Sequence, residues 1–168
     1  GSAFINGRAG HRFAVRNSGA SIVVEGIGDH GLEYMTGGKV VILGDVGQNF
    51  GAGMSGGIAY VLPTDTRQFK FQCNTEMIEF EPLNNKQEID EVRNLIIKHL
   101  EETDSTLALN VLAKWEEVVP RFVKVVPTDY KVMLQKIEAF KEEGLKTAEA
   151  TLKAFTAVTS KSKVVVAK

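Results

Sequence analysis

The stretch Asn17-Ser18-Gly19-Ala20-Ser21-Ile22-Val23-Val24-Glu25-Gly26-Ile27-Gly28 decides the fold, because its pattern returns as Thr36-Gly37-Gly38-Lys39-Val40-Val41-Ile42-Leu43-Gly44-Asp45-Val46-Gly47. Gly19, Gly38 and Gly57 are nineteen apart, as are Asn17, Thr36 and Ser55, and Gly28 falls in the same register as Gly47. Each leading glycine is followed by an apolar run: Ile22-Val23-Val24, Val41-Ile42-Leu43 and Tyr60-Val61-Leu62. Further back the register weakens, but Ala3-Phe4-Ile5 and Gly7 still match Ile22-Val23-Val24 and Gly26. A fixed period of about twenty that carries strand and turn together is the signature of a solenoid.

Residue types select the kind of solenoid. The Leu-x-x-Leu-x-Leu spacing and Asn ladder of a leucine-rich repeat are missing. A parallel β-helix fits: each period winds one coil, and Val, Ile and Leu stack on their equivalents about 4.8 Å away. Gly19, Gly26, Gly28, Gly38, Gly44, Gly47, Gly53 and Gly57 are then structural. They supply positive φ at corners and let adjacent coils approach closely. Strand crossovers are overwhelmingly right-handed, so that hand is predicted. The expected fold class is mainly β: a short right-handed parallel β-helix followed by C-terminal α-helices.

Glycine also marks a boundary. Fifteen of the 16 glycines lie between Gly1 and Gly57, and Gly144 stands alone. The predicted division is residues 1–63 as coils, truncated at the N-terminal side, and residues 64–168 as a helical extension with an extended segment at 122–126. From Gln87, an apolar stripe of Ile89, Val92, Ile96 and Leu100 predicts a helix. Asp104 or Ser105 caps a second helix with Leu107, Val111 and Trp115 on its face, which Pro120 ends. Thr128 or Asp129 caps a last long helix through Tyr130, Leu134, Ile137 and Phe140, continuing past Gly144 to Leu152 and Phe155. Because the first residues sit inside a coil, further coils are expected before Gly1.

Composition excludes several function classes. Lys+Arg 20 against Asp+Glu 21 leaves a net charge of -1, which gives no long-range field to gather phosphates, so neither nucleic acid nor a membrane surface is an expected partner. The one cysteine, Cys73, cannot close an internal disulfide, and no apolar run is long enough to span a bilayer.

Two segments match the G-x-G-x-x-G dinucleotide fingerprint: Gly26-Ile27-Gly28-Asp29-His30-Gly31 and Gly51-Ala52-Gly53-Met54-Ser55-Gly56. The fingerprint functions only where its last glycine opens a helix. The first match leaves barely one turn before Gly37-Gly38, and the second runs into Ile58-Ala59-Tyr60, so both read as coil corners. His11, His30 and His99 lack the i, i+4 or Cys/His spacing of a zinc site. His30 beside Asp29, with Glu33 nearby, has the composition of a base and its orienter, but no nucleophile stands in an activating setting, and a polar corner is the simpler reading. Cys73 reads as a structural thiol. Arg8, Arg12 and Arg16 alternate with apolar residues and read as a solvated strand face or as a grip on an anion or a neighbouring domain.

The stretch Arg12-Phe13-Ala14-Val15-Arg16-Asn17-Ser18-Gly19-Ala20, followed by residues 24–38 with Gly28-Asp29-His30-Gly31-Leu32-Glu33-Tyr34-Met35-Thr36-Gly37-Gly38, resembles the C-terminal glycine-rich domain of the glutamate synthase large subunit. Residues 44–62, with Asn49-Phe50-Gly51-Ala52-Gly53-Met54-Ser55-Gly56-Gly57, do so too, as do Asn74-Thr75-Glu76-Met77, the Trp115 helix and Phe122 through Lys131. The resemblance implies membership of an enzyme that hydrolyses glutamine at an amino-terminal cysteine, passes ammonia through a tunnel, and reduces the imine of 2-oxoglutarate on an FMN barrel carrying a 3Fe-4S cluster. It further implies that the β-helix holds the amidotransferase and FMN-barrel domains together, and that ferredoxin or a reductase small subunit supplies electrons. The implied compartment is the cytoplasm, or a plastid in a photosynthetic eukaryote. It carries no catalytic, cofactor-binding or metal residue onto this segment. The rival reading is a free-standing β-helix structural subunit of another oxidoreductase, such as formylmethanofuran dehydrogenase; an independent β-helix enzyme is disfavoured because neither an acidic groove nor a hexapeptide repeat is present.

Overall fold

The structure is a computed structural model, and it describes the backbone of residues 1–165 and the side chains of residues 1–159. Four strands lie side by side in chain order and parallel: β1 (Ser2–Ile5), β2 (Ser18–Val24), β3 (Thr36–Ile42) and β4 (Gly56–Val61). Parallel neighbours require a connection that returns to the starting edge, usually by way of a helix. Here no helix intervenes, so the chain winds as coils, as the period predicts.

Alternation along the strands builds the core. Ala3, Ile22, Val40 and Ala59 form one row across the coils, and Ile5, Val24, Ile42 and Val61 form a second. Both rows belong to a single hydrophobic cluster that the connections complete from the far side with Ile27, Leu32, Met35, Val46, Phe50 and Met54. Fully burying a Val, Leu, Ile, Phe or Met side chain stabilises by about 1.5–3 kcal/mol, so stacked rows make the winding cooperative.

The period is not uniform. Ile22 lies opposite Val40 rather than Val41, an eighteen-residue step, whereas Ala3 to Ile22 and Val40 to Ala59 are nineteen. An irregularity absorbs the difference: Ser18 to Ser21 spans one residue more than Gly37 to Lys39 opposite. A one-residue slip turns a strand's apolar set to its other face, so core burial fixes the pairing and the bulge takes up the mismatch.

The remaining elements follow in order: α1 (Thr66–Gln72), β5 (Ile78–Pro82), α2 (Lys86–Thr103), α3 (Thr106–Ala113), α4 (Trp115–Val118), a 3-10 turn over Val119–Arg121, β6 (Val123–Pro127), α5 (Thr128–Glu142) and α6 (Thr147–Val165). Asp65 caps α1 by accepting from the Arg67 and Gln68 amides, and buried Phe69 stacks edge-on with Phe50 and Phe80 at 5.6 and 6.0 Å. β6 pairs antiparallel with β4, and β5 with β6, which ends the parallel run. Neither α1 nor β5 is expected from the sequence. α1 is too short for a period, whereas Ile78-Glu79-Phe80-Glu81 does carry strand alternation.

On the outer face of the sheet, α2 packs against β1, β2 and β3. Its buried stripe is Val92, Ile96 and His99, with Leu100 only half-buried, so the expected stripe is rotated toward the histidine. Ser105 caps α3 through the Ala108 amide, while Asp104 adopts the left-handed conformation that ends α2. The expected second helix breaks at Lys114 into α3 and α4.

Residues 1–127 form one compact unit, and the chain from Thr128 forms a second. The single long helix expected there is two. Gly144, at φ +92°, gives its N–H to Lys141 O at 2.9 Å while Leu145 N–H reaches Phe140 O at 3.1 Å. This is a Schellman stop, which satisfies the last carbonyls of α5 and needs glycine at the left-handed position. α6 then packs back on α5, its buried Ala150 and Ala154 one turn apart.

Candidate functional site

On the side of the coils away from α2, the connections have an unusual backbone. Seven non-glycine residues there have positive φ: Arg12, Ala14, Arg16, His30, Leu32, Tyr34 and Asn49, between +53° and +62°. Gly51 and Gly53 continue the set in the last coil. Positions 12, 30 and 49 make one row, and 16, 34 and 53 another. A left-handed non-glycine residue costs about 1–2 kcal/mol. Hydrogen bonds between coils offset it: Arg12 N to Asp29 O and His30 N to Gln48 O at 2.8 Å, Leu32 N to Phe13 O and Tyr34 N to Ala52 O at 2.9 Å, Arg16 N to Glu33 O at 3.0 Å. Each contributes about 0.5–1.5 kcal/mol, comparable to the strain it offsets.

This backbone aims side chains outward in register. Arg12, Arg16, His30, Glu33, Tyr34 and Asn49 line an open cleft of about 410 Å³. His30 Nδ1 lies 2.6 Å from Glu33 Oε1, and Asn49 Nδ2 donates to the same oxygen at 2.9 Å. Asn74 Nδ2 donates in turn to Asn49 Oδ1 at 3.1 Å, so one polar chain crosses three layers. The partner of His30 is Glu33 rather than Asp29. Asp29 Oδ1 instead accepts from the Gln48 amide at 2.7 Å, and the Asp29 amide donates to His11 Nδ1 at 2.8 Å. His30 and Glu33 thus have the composition of a base and its orienter, and no serine, threonine or cysteine is among the described residues lining the cleft. Arg8 faces elsewhere, donating to Ile27 O at 2.5 Å.

A second cluster ties the helical cover to the coils. Glu25 Oε1 accepts from His99 Nε2 at 3.0 Å and from the Ser105 hydroxyl, while Oε2 accepts from the Gly7 amide at 2.8 Å. Burial raises the Glu25 carboxyl, but the hydrogen bonds from Ser105, His99 and Gly7 outweigh it and hold the carboxyl below its ordinary value. A carboxylate only accepts, so His99 carries its hydrogen on Nε2, and Nδ1 is left buried with no partner. Ser105 is fully buried and caps α3, so it is not placed to meet a substrate. Neither residue is signalled as a pair by sequence spacing, because Glu25 and His99 lie far apart in the chain.

The expected structural glycines fall into distinct environments. At Gly38, φ is +91° and a Cβ would collide with the Ala20 carbonyl oxygen; at Gly47 it would come within 2.5 Å of Asp29 N and 2.6 Å of Gly28 C. Cβ atoms at Gly28, Gly44 and Gly57 would likewise meet the adjacent coil, one at Gly26 would come against the Arg8 side chain, and one at Gly53 would meet the Tyr34 ring at 2.5 Å. Gly19 stands in open space without positive φ. Much of the left-handed backbone is therefore carried by Arg, His, Leu and Tyr rather than glycine. Neither fingerprint-like segment opens a helix. Burial pushes the Cys73 thiol up to about 12, and it donates to Phe69 O at 3.2 Å. Among the described residues no group of three or more His, Cys, Asp or Glu is placed to hold a metal, and no helix is long and apolar enough to cross a membrane.

Residues 1–128 match the family model described as the GXGXG motif. The chain is 58% identical to the NADPH glutamate synthase large chain of Bacillus subtilis over 95% of its own length and 10% of that protein's. It is 52% identical to the NADH glutamate synthase of Schizosaccharomyces pombe over 86% of itself and 7% of that protein. For the chloroplastic ferredoxin-dependent glutamate synthase of Spinacia oleracea the identity is 46%, over 76% and 8%. The chain thus spans about a tenth or less of these relatives. Winding coils, glycines at the close approaches and these likenesses agree: the chain belongs to the GXGXG motif family, in the form that glutamate synthase large chains carry.

Proposed function

We propose that this segment is an interdomain scaffold of a glutamate synthase, the enzyme that converts glutamine and 2-oxoglutarate reductively into two glutamates, and that it holds the amidotransferase and FMN-barrel domains together without performing chemistry itself. The observation that carries the reading is asymmetry. One side of the coils is covered by the chain's own α2, while the other is an ordered, polar face held by hydrogen bonds between coils. A rigid face with fixed side chains is suited to positioning neighbours. Relatives named for NADPH, NADH and ferredoxin share the segment, which supports a role common to enzymes with different electron donors, be the donor ferredoxin or a reductase small subunit. The compartment follows the parent enzyme, cytoplasmic or plastid.

The parent's 3Fe-4S cluster does not fit residues here. A cluster needs several thiolates, and the chain has one cysteine, buried and hydrogen-bonded. No step is assigned to the cluster or to FMN in this segment.

The test is assembly in trans. The chain, mixed with a polypeptide containing the amidotransferase and FMN-barrel domains of a glutamate synthase that lacks its own C-terminal domain, is expected to sediment with it and raise coupling of glutamine hydrolysis to glutamate formation. Separate sedimentation, or glutaminase turnover by the chain alone, would refute the scaffold reading.

A further inference from the structure

The cleft has a chemistry that scaffolding in general does not specify. Its fixed negative charge, Glu33, is already engaged by His30 and Asn49. Among the described residues, Arg12 and Arg16 have no hydrogen-bond or ion-pair partner for their guanidinium groups, although their backbone nitrogens are pinned to the next coil. The Tyr34 ring is seated against Gly53, where a Cβ would come within 2.6 Å of two of its carbons, and the residue is 56% exposed. Two guanidiniums without a partner among the described residues therefore share the cleft with an exposed aromatic ring, all three on backbone that hydrogen bonds between coils pin. Such preorganisation lowers the ordering cost of binding. Arginine and tyrosine are also the residue types that dominate interface energetics.

We propose that Arg12, Arg16, His30, Glu33, Tyr34 and Asn49 form a docking site for an acidic polypeptide segment, whose carboxylates take the two guanidiniums in bidentate contacts and whose backbone or side chain lies over Tyr34. The arginine fork matches a carboxylate geometrically. A polypeptide rather than a small anion is the occupant because the cleft is open and its cations are exposed. One ion pair in water is worth little, whereas several spaced carboxylates on one chain add up. The proposal rests on the scaffold reading only for which chain supplies the segment.

The experiment titrates the full chain with hexaglutamate and follows arginine side-chain and backbone resonances by NMR. Saturable shifts centred on Arg12, Arg16 and Tyr34, weakening as salt rises, are expected. The double variant Arg12→Gln/Arg16→Gln should bind at least about tenfold more weakly with an unchanged melting temperature, and Arg12→Lys/Arg16→Lys should recover part of the loss because charge survives but the fork does not. Shifts that are absent or scattered over surface lysines, unchanged binding by the glutamine variant, or equal competition by free glutamate at matched carboxylate concentration would overturn it, the last by revealing a small-anion site. Repeating the trans assembly with Arg12→Gln/Arg16→Gln separates the two readings. About tenfold weaker assembly supports the cleft, and unchanged assembly sinks the cleft while the scaffold stands. If the wild type fails to assemble yet binds hexaglutamate at these residues, the scaffold falls and the cleft stands.

Discussion

The strand side of the coils and the connecting side are held by opposite means. Along β1 to β4 the backbone is relaxed, and stability comes from rows such as Ala3, Ile22, Val40 and Ala59, whose members are apolar and whose order follows from alternation. Along the connections the backbone is strained at every second residue, and the register is held by amides reaching across coils, while arginine, histidine and tyrosine project into solvent. The lesson is that a solenoid can place ordered polar side chains on one side because the inward residues of each connection, such as Ile27, Leu32 and Phe50, join the strand rows in one core. Strain of about 1–2 kcal/mol at each left-handed position is sustained by hydrogen bonds between coils and by a packed core to which left-handed Leu32 itself belongs.

The sharpest way to break this comparison is to substitute equivalent positions of the repeat. Gly38→Val should cost about 4 kcal/mol or more or abolish folding, since it adds a branched side chain at φ +91° against the Ala20 carbonyl. Gly19→Val, nineteen residues earlier, should cost less than about 1 kcal/mol, because nothing lies within 4 Å. Urea unfolding of both measures it, and equal losses would show that the repeat, not the local contact, dictates glycine.

Next in size is the link between coils and helical cover. Glu25→Gln should lower stability by about 2–3 kcal/mol, since His99 and Ser105 lose a charged acceptor inside a buried cluster. The same group gives a pH signature. Its folded carboxyl is held below the usual 4.5, so its contribution is present above that value and is lost as pH falls through the lower, folded value. Wild type should therefore lose stability on acidification below about pH 4.5 more steeply than Glu25→Gln. Parallel profiles for the two proteins would rule out the carboxylate as the source.

The smallest effect has the opposite sign. Arg16→Gly should raise stability by about 0.5–1 kcal/mol, because glycine adopts φ +59° freely and the side chain it removes is exposed. The same change should weaken hexaglutamate binding. A loss of stability would mean that Arg16 supports the coil rather than the cleft.

The strand side was legible and the connecting side only partly so. Apolar triplets at a period of nineteen announce coils, and Gly38 and Gly47 stand at real close approaches. The eighteen-residue step from Ile22 to Val40 is hidden in the sequence because Val40, Val41 and Ile42 are interchangeable by hydrophobicity, and only packing chooses among them. Left-handed Arg12, His30 and Tyr34 carry no propensity signal, since inter-coil hydrogen bonds override the local cost. The His30, Glu33 and Asn49 cluster assembles across coils, so short-range spacing shows only the first two. In sequence Gly144 reads as a tolerated helix residue, yet two hydrogen bonds make it a stop.

Amide hydrogen exchange under native conditions tests the central claim, that connections and strands are two sides of one hydrogen-bonded winding. The amides of Arg12, His30, Leu32 and Tyr34 should be protected to within about tenfold of Leu43 and Leu62, whose bonds to Val24 and Ile42 extend the strand ladders. Exchange of the first set at the rate of a solvated loop, with the second still protected, would contradict the account.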